Sequence, residues 1–162
     1  MELVEYYIIN YGYMAIFILL ALGIVGLPVP DEVIMTIIGY YTHTEALSYQ
    51  MAMIASFLGA VIGMLISYTI GRKFGRNVIK KYGKWFGLKE SRLNKVELWM
   101  KKYGAFALVF GYFIPGVRHI TCYVSGIGKM NVKIYLLFAS LGAFSWCGTF
   151  ILIGRYIGVI GT

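Results

Sequence analysis

The sequence predicts an all-α integral membrane protein built as an inverted repeat, each half a re-entrant helical hairpin followed by a transmembrane helix, with amphipathic helices at the surface. Three observations predict it. Of the 162 residues, 59% are hydrophobic, above the roughly 45–50% usual in soluble domains. Two apolar segments long enough to span a bilayer can be laid over each other without a gap. All fifteen basic residues lie between Arg72 and Arg155, eleven of them between Arg72 and Lys102. The length suits a single membrane domain covering residues 1–162.

Residues 1–10 carry Glu2, Glu5 and Asn10 among apolar positions and read as a short interfacial helix. Gly12 to Leu27 is apolar. As a helix it would rise about 24 Å, short of a roughly 30 Å hydrocarbon core. Pro28-Val29-Pro30 then interrupts it, and Asp31 and Glu32 follow at once. Val33 to Tyr41 is apolar again but too short to span. Residues 12–42 are therefore read as a broken hairpin, the alternative being a crossing before the prolines that leaves Asp31 and Glu32 at a surface.

Met51 to Ile70 is the first full span, and Gly59 and Gly63 give it a small-xxx-small face for close packing. Residues 72–102 form a basic connection. Within it, Leu93, Val96, Leu98 and Trp99 alternate with charges as on an amphipathic surface helix. The second half, about 103–158, repeats the plan with a broken hairpin at 105–128, interrupted by Pro115-Gly116-Val117-Arg118-His119, and a span at 132–153.

Leu58-Gly59-Ala60 and Ile70-Gly71-Arg72 recur as Leu141-Gly142-Ala143 and Ile153-Gly154-Arg155, an offset of 83 (141 − 58), and Gly75 matches Gly158. Tyr11-Gly12 is echoed by Tyr103-Gly104, and Pro28 by Pro115. A repeat about 11–75 is thus followed by its counterpart. Excess Lys and Arg mark cytoplasmic loops, so residues 72–102 lie inside and the two halves take opposite orientations. Such charge between apolar segments argues against a nucleic-acid partner. Inverted repeats with paired discontinuous helices recur among secondary transporters.

The candidate site lies at the two breaks. The first offers Asp31 and Glu32, the second Arg118 and His119. Ionisable groups inside a membrane usually face a cavity or each other. Arg118 can grip a phosphate through parallel hydrogen bonds. A desolvated Glu32 can carry a proton, and His119 can assist. Against this, Glu32 and Arg118 can form a purely structural ion pair, Asp31 can cap the helix after Pro30, and His119 can be a hydrogen-bonded packing residue. Tyr40, Tyr41 and Tyr123 read as interface or packing aromatics. Cys122 and Cys147 read as buried small hydrophobes. No metal-ligating cluster, cofactor motif or hydrolase motif is found.

These residues resemble the DedA family of SNARE-associated, or VTT-domain, membrane proteins. The resemblance covers nearly the whole chain. It rests on Gly26-Leu27-Pro28-Val29-Pro30-Asp31-Glu32, on Tyr68-Thr69-Ile70-Gly71-Arg72-Lys73-Phe74-Gly75, and on Phe110-Gly111-Tyr112-Phe113-Ile114-Pro115-Gly116-Val117-Arg118. It implies a multi-pass protein of the bacterial cytoplasmic membrane that moves lipids between leaflets rather than catalysing a reaction. The implied substrates are undecaprenyl phosphate or phospholipids such as phosphatidylethanolamine, with proton or sodium coupling in some members. A homodimer is compatible with it. Two departures stand out. An acid that the family often carries before the prolines is here Gly23, and the first Arg of its F-x-R-x-x-P-x-x-R pattern is here Tyr112. The substrate-binding set is then Arg118, Glu32, Asp31, His119 and Tyr112, with Glu32 for proton coupling. A single Arg tilts the expectation towards a phosphodiester lipid. The competing classes are a small proton- or cation-coupled transporter and a non-transporting scaffold.

Overall fold

Apolar stretches without proline form the longest helices. The computed structural model describes residues 2–26, 30–82 and 89–161. Within them it has seven helices and no strand: α1 (Glu2–Val25), α2 (Asp31–His43), α3 (Tyr49–Tyr82), α4 (Glu90–Tyr103), α5 (Phe106–Gly111), α6 (Val117–Ile127) and α7 (Val132–Gly161). Leu27, Pro28 and Val29, the centre of the first predicted break, lie outside the described residues.

Among the described residues, two helices are long and apolar enough to cross a membrane, Tyr49–Asn77 and Val132–Ile160. They contain the predicted spans at 51–70 and 132–153. Ile54, Leu58, Ile62 and Ile66 form an exposed stripe at four-residue spacing along α3, and Leu137, Leu141, Phe144 and Leu152 are exposed on α7. An apolar surface so extended suits lipid rather than water.

Three expectations are corrected. Residues 1–10 are not a separate helix: nothing between Glu2 and Val25 breaks the helical pattern, so α1 is continuous. The basic connection does not begin at Arg72, because α3 runs to Tyr82 with a kink at Gly75, whose φ of 67° favours glycine. α4 is amphipathic as read, but it buries Leu93, Val96 and Met100 while Leu98 stands exposed. That apolar face is covered chiefly by α6. Gly104, with φ 58°, ends α4 by donating its N–H to the Met100 carbonyl at 2.7 Å.

The long helices run antiparallel. Phe57 meets Phe144 edge-on, the Tyr68 and Tyr135 rings stack at 4.4 Å, and the Tyr135 hydroxyl donates to the Met64 carbonyl at 3.0 Å. α1 packs on α3 in the same direction, the backbone at Phe17 against Gly59 and at Ala21 against Gly63. α5 packs on α7 likewise, Phe106 against Phe138 and Val109 against Gly142. α2 lies on α7, and α6 on α3.

These last two contacts use the same construction. A Cβ on Gly39 would strike the Ile151 carbonyl, and one on Gly154 the Thr36 carbonyl. A Cβ on Gly126 would strike the Tyr68 carbonyl, and one on Gly71 the Tyr123 carbonyl. The short-helix members differ by 87 (126 − 39 and 123 − 36), the long-helix members by 83 (154 − 71 and 151 − 68). In the first limbs, Phe17 against Gly59 corresponds to Val109 against Gly142, an offset of 92 (109 − 17) with the same 83 (142 − 59). Small residues at such crossings let backbones approach where lipid gives no hydrophobic drive to helix association.

Replacing Gly39, Gly71, Gly126 or Gly154 with Val is expected to destabilise the fold by about 1–3 kcal/mol or more, since backbone has to move. Gly148→Ala faces only the Met53 methyl at 3.6 Å and is expected to leave stability nearly unchanged. Denaturant unfolding in detergent checks both.

Candidate functional site

The site forms where α2 and α6 begin. Gly116, at φ 78°, turns the chain after Pro115 and starts α6, which places Arg118 in its first turn. Asp31 and Glu32 occupy the first turn of α2 after Pro30. Arg118 Nη2 donates to Asp31 Oδ2 at 2.6 Å, and Nη1 to Glu32 Oε1 at 2.9 Å. The guanidinium also lies over the Trp146 ring of α7, 4.5 Å from its centroid. Charge-assisted hydrogen bonds and a ring face thus hold one cation between α2, α6 and α7.

The two acids differ in access. The Asp31 side chain is 0% exposed and Arg118 3%, whereas Glu32 is 30% exposed. Asp31 makes no capping hydrogen bond, and Pro30 takes the N-cap position. Its carboxylate instead fills the space beside Gly23, where any Cβ would collide with it. With both acids ionised the cluster carries one positive and two negative charges. Asp31 Oδ1 and Arg118 Nε, like the neighbouring Tyr112 hydroxyl and Trp146 Nε1, have no hydrogen-bond partner.

The other predicted residues fall around this pair. His119 places Nδ1 3.1 Å from the Ile24 carbonyl, and Tyr123 donates to the Val25 carbonyl at 2.6 Å. Ser67 of α3 also donates to Ile24, at 3.2 Å. These side chains satisfy carbonyls left open where α1 ends, a requirement that is severe in an apolar medium. His119 therefore acts here as a hydrogen-bonding support. Tyr112 is buried, its ring 6.0 Å from Trp146, without a hydrogen bond to the charges. Cys122 and Cys147 are buried and unpaired, as read. Among the described residues no group of acids, histidines and cysteines could hold a metal ion.

Sequence reasoning missed Trp146, Ser67 and the capping role of Tyr123. It offered Asp31 as a helix cap or as a member of the substrate-binding set and proposed an ion pair only between Glu32 and Arg118, although Asp31 makes the shorter and more buried bond. At the offset of 87, Asp31 itself corresponds to Arg118, and Pro28 to Pro115 (118 − 31 and 115 − 28). That register was the available signal.

A family model described as the VTT domain matches residues 29–156. The chain is 65% identical over 160 residues to an uncharacterized membrane protein, YbfM, of Bacillus subtilis (strain 168), covering 99% of each chain. It is 34% identical to undecaprenyl phosphate transporter A of Staphylococcus aureus (strain NCTC 8325 / PS 47), over 95% of this chain and 78% of that one. It is 31% identical to undecaprenyl phosphate transporter A of Bacillus subtilis (strain 168), over 92% and 73%. No solved structure matches it.

Asp31→Ala is expected to cost about 3–5 kcal/mol, because it strips a buried cation of its closest partner. Asp31→Leu with Arg118→Met is expected to cost less than either single change. Glu32→Gln, partly exposed, is expected to cost about 1 kcal/mol or less. Unfolding of Asp31→Ala, Glu32→Gln, the double variant and its two single changes in one detergent checks the order.

Proposed function

The chain belongs to the VTT-domain, or DedA, family of the bacterial cytoplasmic membrane, and on that premise we propose that it moves phosphate-bearing lipids between leaflets. The observation that carries this reading is the unequal hold on Arg118. A fully buried Asp31 keeps one side of the guanidinium, and a partly exposed Glu32 keeps the other. A lipid phosphate arriving from the Glu32 side exchanges with that carboxylate for Nη1, while Asp31 retains Nη2. The head group then sits at the breaks with its tails in lipid.

Charge gives the step its sign. Adding an anion to a cluster that already holds two carboxylates and one guanidinium is unfavourable in a low-dielectric site. A proton on Glu32 removes one negative charge and frees Nη1 together. Proton uptake and lipid binding therefore favour each other, which couples movement to a proton gradient. The names of the two transporters among the relatives support a lipid phosphate as substrate. The single Arg, with Tyr112 in place of a second, favours a phosphodiester head group such as that of phosphatidylethanolamine.

The architecture proposed for this is a pair of re-entrant hairpins, α1–α2 and α5–α6, in an inverted repeat with α3 and α7. Its support is the recurrence of both glycine crossings at constant offsets and the antiparallel course of α3 and α7. In that arrangement residues 31 and 118 are counterparts that meet near the axis relating the halves.

The test is transbilayer movement of a labelled phosphatidylethanolamine in reconstituted vesicles. Arg118→Ala is expected to slow it at least about tenfold, from the roughly 1.5–3 kcal/mol of a hydrogen bond to a charged group. Wild-type movement is expected to rise as the pH falls on the loading side, and Glu32→Gln to remove that dependence. Wild-type rates and pH profiles in both variants would leave the charges a structural pair and put lipid movement elsewhere, and no movement by the wild type would favour a scaffold. Movement of cations without lipid would favour an ion transporter.

A further inference from the structure

A cavity lies apart from the charged cluster, and none of the cluster's residues lines it. It has a volume of about 350 Å³ and lies between the end of α3, α4 and the C-terminal part of α6. Its wall is Leu93, Met100, Val124, Ile127 and Met130. Ser125 is the polar group inside, and its hydroxyl already donates to the Thr121 carbonyl at 2.6 Å. The interior therefore asks for no directed hydrogen bond, and its two methionines can adapt to a flexible chain. The volume is near the small end of ligand pockets, roughly 300–1,000 Å³.

The rim is charged. Arg76 Nη1 lies 2.8 Å from Glu97 Oε2, and Lys101 Nζ 3.3 Å from Glu97 Oε1. Two cations share one carboxylate, and Lys101 remains 71% exposed. Lys129 is exposed on the loop that carries the lining residues Gly128 and Met130. The mouth is thus net positive over an apolar interior.

We propose that this cavity binds an anionic phospholipid of the same membrane, one acyl chain inside and its phosphate at Arg76 and Lys101. Both halves of the complementarity are needed: the interior selects an apolar chain, and the rim selects negative charge. α4 is tied to α3 at this rim by Arg76 with Glu97 and Asn94. α6 forms the opposite wall and carries Arg118 at its other end. A lipid here would brace α6 without entering the charged cluster, so it is a bound partner and not the transported molecule.

The test uses the full chain in phosphatidylcholine nanodiscs, with dioleoylphosphatidylglycerol added stepwise and bound copies counted by native mass spectrometry after release. Wild type is expected to retain one tightly held phosphatidylglycerol in preference to phosphatidylcholine of the same chains. Met130→Trp, which fills the cavity from its edge, is expected to lose that copy while unfolding at the wild-type temperature. Lys101→Glu is expected to weaken it roughly fivefold or more, following the energy of a basic side chain at an anionic lipid surface. Equal retention of the two lipids, undiminished retention by a folded Met130→Trp, or uptake of laurate without phosphatidylglycerol would overturn the proposal. Lipid movement is not the readout, so failure here leaves the reading of Arg118 and Glu32 standing.

Discussion

A guanidinium buried in an apolar environment must be paired, and the rest of this structure is arranged around that demand. Arg118 is almost wholly enclosed and cannot lose its proton. Asp31 takes one side, Glu32 the other, and the Trp146 ring lies beneath. For these groups to meet, the starts of α2 and α6 must come together from distant parts of the chain. Gly23 leaves space for the Asp31 carboxylate, and Gly116 turns the backbone so that Arg118 enters with the first turn of α6. The same pairing that stabilises the cation leaves one partner accessible. The proposed function rests on that inequality.

The halves complete one another. α2 lies on the long helix of the other half through Gly39 and Gly154, and α6 does the same through Gly126 and Gly71. The carbonyls at the end of α1 are closed by Ser67 of its own half and by His119 and Tyr123 of the other. α2 and α6 each bury against a long helix from the other part of the chain, and the carbonyls that end α1 need His119 and Tyr123. Backbone groups freed at a helix end in an apolar medium need such partners. The constraint explains why polar side chains gather at the breaks and apolar ones face outward along α3 and α7.

Much of this was legible in the sequence. Hydropathy located both long helices, because an uninterrupted apolar run has few alternatives. Proline and glycine located the break at Pro115, and repetition at 83 residues aligned the long helices. The charged residues were identified because a bilayer rarely holds such groups without a reason. What stayed hidden depended on three-dimensional register. The limbs repeat at 92 and 87 rather than 83 (109 − 17 and 118 − 31), so a single offset did not reveal Asp31 and Arg118 as counterparts. Trp146 gave no signal, since an aromatic inside an apolar span is ordinary. Gly12 and the early acids suggested a boundary that α1 does not have, because isolated weak helix formers do not end a helix supported by packing. Arg72 to Tyr82 looked like a loop from charge alone, yet positively charged side chains are good helix formers and only Gly75 bends that stretch.

The most direct test of the central claim is the contact between Arg118 and a lipid phosphorus. Protein with 15N-labelled arginine, in bilayers of phosphatidylethanolamine, can be examined by 15N–31P dipolar recoupling in solid-state NMR. The signal of Arg118 is isolated by comparison with Arg118→Lys. A phosphorus contact should appear in the wild type at low pH, and at all pH values in Glu32→Gln. Absence of that contact in both proteins would contradict the account and leave Arg118 a structural cation.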